Sequence, residues 1–171
     1  MKSRCIPFLL LALAFLLQST VFQFLSFAGI APNLLLIVVS SFALMRGERE
    51  GMWLGLFAGF LLDIFYGQYL GIYCLLYLWL GFLCGVFQKR FYPDDFTLPM
   101  MIIGGSDFVC NLIIYLTMFL TRGRTSFLYY LRAVILPELV YTILVGLFLY
   151  LILLKINSSI YTRSTEGAVE S

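Results

Sequence analysis

The chain has 171 residues, the size of one domain, and 62% of them are hydrophobic while only 12% are charged. Because soluble domains carry about 25% charged residues, this composition predicts an integral membrane protein. The formal charge of +2 comes with no basic run, so we expect no nucleic-acid partner. Histidine is absent and the four cysteines have no CxxC spacing, which argues against zinc, haem and histidine-based catalysis.

Six apolar segments follow one another along the chain, separated by short polar breaks. We predict membrane spans at residues 6–27, 33–46, 51–66, 70–88, 98–120 and 133–155. The first is interpreted as an uncleaved span, because no small-x-small cleavage site follows it. The second is shorter than the roughly 20 residues needed to cross a bilayer, so its neighbours must shelter it.

These spans predict an all-α membrane protein, a polytopic bundle of six transmembrane helices that occupies residues 1–156. Residues 157–171 are polar and rich in Ser and Thr. We expect this segment to be a disordered cytoplasmic tail.

Basic residues orient the bundle. A cytoplasmic amino terminus places eight of the eleven basic residues inside, namely Lys2, Arg4, Arg46, Arg49, Lys89, Arg90, Lys155 and Arg163. Three basic residues then lie outside, namely Arg122, Arg124 and Arg132. This asymmetry follows the positive-inside rule and predicts that both termini are cytoplasmic.

Small residues recur at intervals of four through the third span: Gly51, Gly55, Gly59 and then Asp63. Positions four apart share one face of a helix, so we expect this face to bring the backbone close to another helix. Gly81 and Gly85 repeat the spacing in the fourth span. An ionised group at membrane depth is costly unless it is paired, and Arg132 is a plausible counter-ion for Asp63.

Two further acidic residues fall within spans. Asp107 lies near the predicted midplane of the fifth span and shares a face with Gly104 and Asn111. Glu138 follows Pro137, which is expected to kink the sixth span. These residues fit a proton or ion relay, a ligand pocket, or interhelical hydrogen bonds that fix the bundle, and we favour the last. No nucleophile elbow, phosphate loop or metal motif occurs, so we expect neither an enzyme nor a cofactor.

The chain resembles a known family through a combination of motifs. These motifs are Pro32-Asn33-Leu34-Leu35-Leu36, then Ala43-Leu44-Met45-Arg46-Gly47, then Gly51-x3-Gly55-x3-Gly59-x3-Asp63, and finally Leu70-Gly71. The combination is similar to the pattern of the bacterial rod shape-determining protein MreD family. The length, the six-span hydropathy and the short loops agree with it. The last two spans fit only in hydropathy and in a few polar positions.

This resemblance implies a non-enzymatic subunit of the rod complex, or elongasome, in the bacterial cytoplasmic membrane. Such a subunit supports lateral peptidoglycan synthesis and rod cell shape. It implies binding to the bitopic protein MreC and, through it, work alongside RodA, a penicillin-binding transpeptidase and the MreB filament. The fold is expected to be similar to the S components of energy-coupling-factor transporters.

Structural or partner-binding roles are expected for a defined set of residues. The family motif carries over to Pro32, Arg46, Gly47, Gly55, Gly59, Asp63 and Gly71. The spacing and polarity arguments add Gly51, Asp107, Asn111, Arg132 and Glu138.

The alternative is an S-component-like subunit of a vitamin transporter. Such a subunit is expected to dock its coupling module through an Ala-x-x-x-Ala pattern in the first span. Here Ala12 and Ala14 are two residues apart and lie on different faces, which weakens this alternative.

Overall fold

The structure is a computed structural model that describes residues 2–24, 32–66, 71–90, 97–122 and 127–169. Its side chains are described over the narrower ranges 6–20, 32–66, 71–89, 97–117 and 129–158. The carboxyl end of the first predicted span and the turn at residues 67–70 therefore lie outside the described residues. Within the described ranges the regular structure is entirely helical.

Six main helices make up the bundle. They are α1 (Lys2–Phe24), α2 (Leu34–Arg46), α3 (Glu48–Tyr66), α4 (Ile72–Val86), α5 (Thr97–Arg122) and α6 (Leu136–Val169). A 3-10 turn, Phe87–Arg90, extends α4, and a helical turn, Phe127–Tyr130, with a π-helical segment, Leu131–Ile135, leads into α6. The predicted all-α membrane bundle of about six helices is confirmed.

Helix α2 lies at the centre of this bundle. Every side chain from Leu34 to Leu44 is buried, and α2 contacts each of the other five helices. Its 13 residues extend only about 20 Å, less than the roughly 30 Å hydrocarbon thickness. The prediction that neighbours shelter the short second segment is confirmed. A helix that is apolar all round is typical of such a buried position.

The outer helices present apolar side chains outward. Residues 72–89, 97–117 and 131–158 are long and apolar enough to cross a membrane, and 6–20 and 34–46 are shorter apolar helices. Large aliphatic and aromatic side chains on the outer faces, such as Leu9, Leu144 and Phe148, are exposed. A surface of this kind is suited to lipid rather than water.

Contacts at both ends fix the direction of the helices. Asn33, at the start of α2, contacts Thr142 in the first part of α6, and Arg46, at the end of α2, contacts Asn157 further along α6, so α2 and α6 run in the same direction. We call the end of the bundle at the α2–α3 junction the Arg46 end. The opposite end, where α3 finishes, is called the Asp63 end.

The helix is irregular just before Pro137, where the sequence predicts a kink. Pro137 has no N–H for the carbonyl one turn earlier, and the preceding residues, Leu131–Ile135, are π-helical. The irregular turn accommodates the proline without breaking the helix.

Helix α6 continues to Val169, and the expected disordered cytoplasmic tail at residues 157–171 stays a prediction. No proline occurs between Asn157 and Val169, and extending an existing helix is far less costly than starting one.

Candidate functional site

The backbones of helices α3 and α4 pack closely against each other, and glycine residues make this close approach possible. A Cβ atom built on Gly51 would lie 2.5 Å from the Gly81 carbonyl oxygen. One built on Gly55 would overlap the carbonyl oxygen of Tyr77 and lie 2.8 Å from its carbonyl carbon. One built on Gly59 would lie 2.5 Å from the Cα of Cys74. The glycine face predicted from the sequence therefore packs backbone against backbone along α4.

Helix α4 returns this contact with glycines of its own. A Cβ on Gly81 would overlap the backbone of Gly51, and one on Gly85 would overlap the backbone of Glu48. The close approach therefore extends along nearly all of α3. Because apolar burial gains little in lipid, such backbone contact is a main source of helix association there.

Asp63 completes this seam by capping α4. Its carboxylate accepts hydrogen bonds from the backbone N–H groups of Gly71 at 3.0 Å, Tyr73 at 3.2 Å and Cys74 at 2.9 Å. These donors at a helix start have no intrahelical partner, and the positive end of the helix dipole favours a carboxylate. Asp63 is only 3% exposed, so the bonds are formed away from solvent.

This geometry corrects the expected pairing of Asp63 with Arg132. Arg132 lies in the π-helical segment with an exposed side chain, and the described side chains include no ion pair between the two. Backbone N–H groups, which sequence reasoning did not consider, compensate the charge instead. Gly71 allows the turn because its φ of +105° lies in the left-handed region.

Arg46 and Gly47 form the junction between α2 and α3. The Arg46 guanidinium donates to Asn157 Oδ1 at 3.0 Å and to Glu50 Oε2 at 3.1 Å. It therefore ties α2 to α3 and to α6 at one point. Gly47 adopts a φ of +97°, and its N–H donates to the Ala43 carbonyl, which closes α2.

Pro32 and Asn33 begin α2 inside the bundle. Asn33 Oδ1 accepts from the Leu36 N–H at 3.2 Å, and Gln18 of α1 accepts from the Leu35 N–H at 3.2 Å. Pro32 is buried and its carbonyl accepts from the Leu34 N–H. Side chains thus replace the water that would otherwise satisfy this helix end.

A buried polar cluster surrounds this helix start. We define it as Asn33, Tyr77, Asp107, Asn111, Glu138 and Thr142, which come from α2, α4, α5 and α6. The Tyr77 hydroxyl donates to Asn33 Oδ1 at 2.9 Å, and the Asn33 N–H donates to Thr142 Oγ1 at 3.3 Å. The sequence had indicated Asp107, Asn111 and Glu138. Asn33 belongs to a family motif but was not predicted as a polar contact, and nothing in the sequence indicated Tyr77 or Thr142.

Asp107 and Asn111 face inward, as their shared helix face predicts. Asp107 is fully buried, and the Asn111 amide donates to the Asp107 backbone carbonyl at 3.1 Å. Gly104, on the same face, lies against Ile143 of α6. Glu138 is half-buried beside Asn111.

An apolar groove separates α4 from α5, which barely touch each other. It has a volume of about 880 Å³. Its walls include Leu75, Trp79 and Leu83 of α4, and its floor includes the small residues Gly105 and Ser106 of α5. We call it the α4–α5 groove. Nothing in its lining suggests chemistry, and the described residues contain no cluster of three His, Cys, Asp or Glu suited to a metal ion.

The family model of the rod shape-determining protein MreD matches residues 2–160 of the chain. No curated protein and no solved structure matches the chain, so the expected similarity to transporter S components stays a prediction. The family match covers α1 to α5 and α6 as far as residue 160, and it includes the α3–α4 glycine contact and the buried polar cluster. The chain therefore belongs to the MreD family of rod shape-determining membrane proteins.

Proposed function

We propose that this protein is a non-enzymatic membrane subunit of the rod complex and that its α4–α5 groove holds the membrane-spanning helix of MreC. The groove is the observation that carries this proposal. Its α4 wall runs from Gly71 to Phe87, about 24 Å along the helix axis, close to the hydrocarbon thickness that a spanning helix must cross.

The lining of the groove suits a helix. Burying apolar side chains gains little in lipid, so partner helices associate through close packing against small residues. Gly105 has open space around its missing Cβ, and Ser106, Cys84 and Cys110 are small. A partner backbone can therefore come close to α5 while Trp79 and Leu83 of α4 pack against its side.

The glycine contact and the Asp63 cap have a role in this proposal. They hold α4, one wall of the groove, rigidly against α3. A preformed wall lowers the entropic cost of docking, since little has to be ordered when the partner arrives. The family residues Gly55, Gly59, Asp63 and Gly71 thus support partner binding indirectly.

The proposed orientation places the Arg46 end in the cytoplasm, because most basic residues lie on that side. The Asp63 end then faces outward, in the bacterial cytoplasmic membrane. Through MreC, the protein would act with RodA, the penicillin-binding transpeptidase and MreB in lateral peptidoglycan synthesis.

A matched pair of substitutions tests the groove. Val109 lies in the groove and is 49% exposed, whereas Val140 of α6 is 55% exposed and lies outside it. Val109→Trp should fill the groove and abolish co-purification with MreC, while Val140→Trp should leave it unchanged. Both variants should retain the wild-type yield and elution volume. Equal recovery of MreC with both would show that MreC docks elsewhere.

A further inference from the structure

Asp107 is an unusual acidic residue for a membrane interior. Its side chain is fully buried, and neither carboxyl oxygen forms a hydrogen bond of normal geometry within the part of the chain that the structure describes. Asp63 is almost as enclosed, but its carboxylate accepts three backbone hydrogen bonds at the start of α4. The two buried aspartates therefore lie in opposite environments, and only that of Asp63 is suited to a negative charge.

The groups around Asp107 do not balance a negative charge. The Thr142 hydroxyl and the Asn33 amide lie beside the carboxyl, and both are neutral. The only titratable residue of α2 is Arg46, which lies at the other end of that helix. The titratable groups that face Asp107 from α4, α5 and α6 all gain only negative charge on ionisation, and they are Tyr77, Cys110 and Glu138.

The carboxyl also lies within the contact that holds α5 in the bundle. Helix α5 packs mainly on α2 and α6 and barely touches α4. Asp107 faces Asn33 at the start of α2 and Thr142 of α6. The Asn111 amide, one turn further along α5, donates to the Asp107 backbone carbonyl rather than to its carboxyl. The charge state of this one side chain therefore acts directly on the interface between α5 and the other two helices.

We propose that Asp107 is a proton-binding site: its carboxyl is the neutral acid in the folded bundle, and loss of the proton loosens α5 from α2 and α6. A carboxyl that is enclosed without compensation takes up a proton rather than remain charged. The neutral acid has one O–H donor and still accepts hydrogen bonds, so it suits the neutral donors of Thr142 and Asn33. An ionised Asp107 would be uncompensated at membrane depth and would be repelled by an ionised Glu138.

The bound proton links the stability of the bundle to pH. In the unfolded chain an ordinary aspartate loses its proton above about pH 4, whereas the folded bundle keeps the proton on Asp107. Because the folded state then binds more protons than the unfolded state, the free energy of unfolding should fall as the pH rises above this value. This linkage does not depend on MreC docking, so either proposal can fail without the other.

Infrared spectroscopy of the purified full-length protein detects this proton directly. With a carbon isotope label in the aspartate carboxyl groups, the folded wild-type protein at neutral pH should show the C=O stretching band of a protonated aspartate. Asp107→Asn should remove this band, while Asp63→Asn, the matched control at the other buried aspartate, should retain it. Absence of the band from the wild-type protein, or its survival in Asp107→Asn, would overturn the proposal.

Thermal unfolding at several pH values tests the effect of the proton on the bundle. The midpoint of the wild-type protein should fall from mildly acidic to alkaline pH by more than that of Asp107→Asn, which has no proton to lose at this position. Parallel curves for the two proteins would show that the Asp107 proton does not hold α5 in place. If Asp107→Asn does not fold, Thr142→Val decides. It removes one hydroxyl beside the carboxyl and should shift the frequency of the protonated band, and an unmoved band would place the protonated aspartate elsewhere.

Discussion

Substituting Gly55 by alanine tests whether the α3–α4 contact is as close as the structure has it. The added Cβ would lie 2.8 Å from the Tyr77 carbonyl carbon and would overlap its oxygen. Nonbonded carbon atoms prefer about 3.5–4.0 Å, so α3 and α4 would have to separate by about 1 Å. Overpacking of this kind costs about 1–3 kcal/mol.

Gly146→Ala is the matched control. Gly146 is also buried within a helix, but a Cβ there would lie 3.6 Å or more from its neighbours, which is ordinary contact. The gain in helix propensity on replacing glycine, about 1 kcal/mol, is common to both variants and cancels in the comparison. The packing cost at Gly55 should therefore appear as the difference between them.

Thermal unfolding in one detergent measures this difference. At about 2–4 °C per kcal/mol for a chain of this size, Gly55→Ala should unfold about 2–12 °C below Gly146→Ala. Circular dichroism or intrinsic fluorescence would follow the transition. Equal midpoints for the two variants would refute the backbone-to-backbone contact.

Three further substitutions or labels probe the remaining contacts. Asp63→Leu leaves three buried N–H groups unpaired, at a cost of about 1–3 kcal/mol each. Asp63→Asn keeps at most two of the bonds, so its unfolding midpoint should lie between those of the wild type and Asp63→Leu. An equal loss of midpoint in both variants would show that the charge itself is needed. Arg46→Ala should lower the midpoint by several degrees, since it removes two charged hydrogen bonds, and a similar loss in the exposed Arg49→Ala would contradict that role. Single cysteines at Ser3 and Thr125, in a background without native cysteines, should label from the inside and the outside respectively, and the reverse pattern would invert the topology.

Much of the α3–α4 contact could be predicted from the sequence, because a helix period relates the glycines directly to one face. The helix that packs against this face could not be predicted, because that depends on which backbone carbonyl lies opposite each glycine in three dimensions. The Asp63 cap was missed for a related reason. The search for an opposite charge favoured Arg132, although a carboxylate on a neighbouring helix can satisfy the free N–H groups at the start of α4.

The buried polar cluster was predicted only in part. Asp107 and Glu138 are conspicuous because acidic residues are rare in an apolar sequence. Tyr and Thr are common in membrane helices, so nothing in the sequence distinguished Tyr77 and Thr142 as members of the cluster. The residues of the cluster come together around the start of the short α2, which lies inside the bundle, and this position could not be read from the sequence. The α4–α5 groove was beyond sequence reasoning, because it results from a gap between two apolar helices and leaves no pattern in either.

Affinity purification of the protein from its native membranes tests the central claim most directly. Identification of the associated proteins should reveal MreC, in amounts comparable to the protein itself, and no ATPase subunits. A salt wash should not remove MreC, because the proposed contact is made of close apolar packing in lipid. Recovery of ATPase subunits with a bound vitamin-like molecule, and without MreC, would contradict the account.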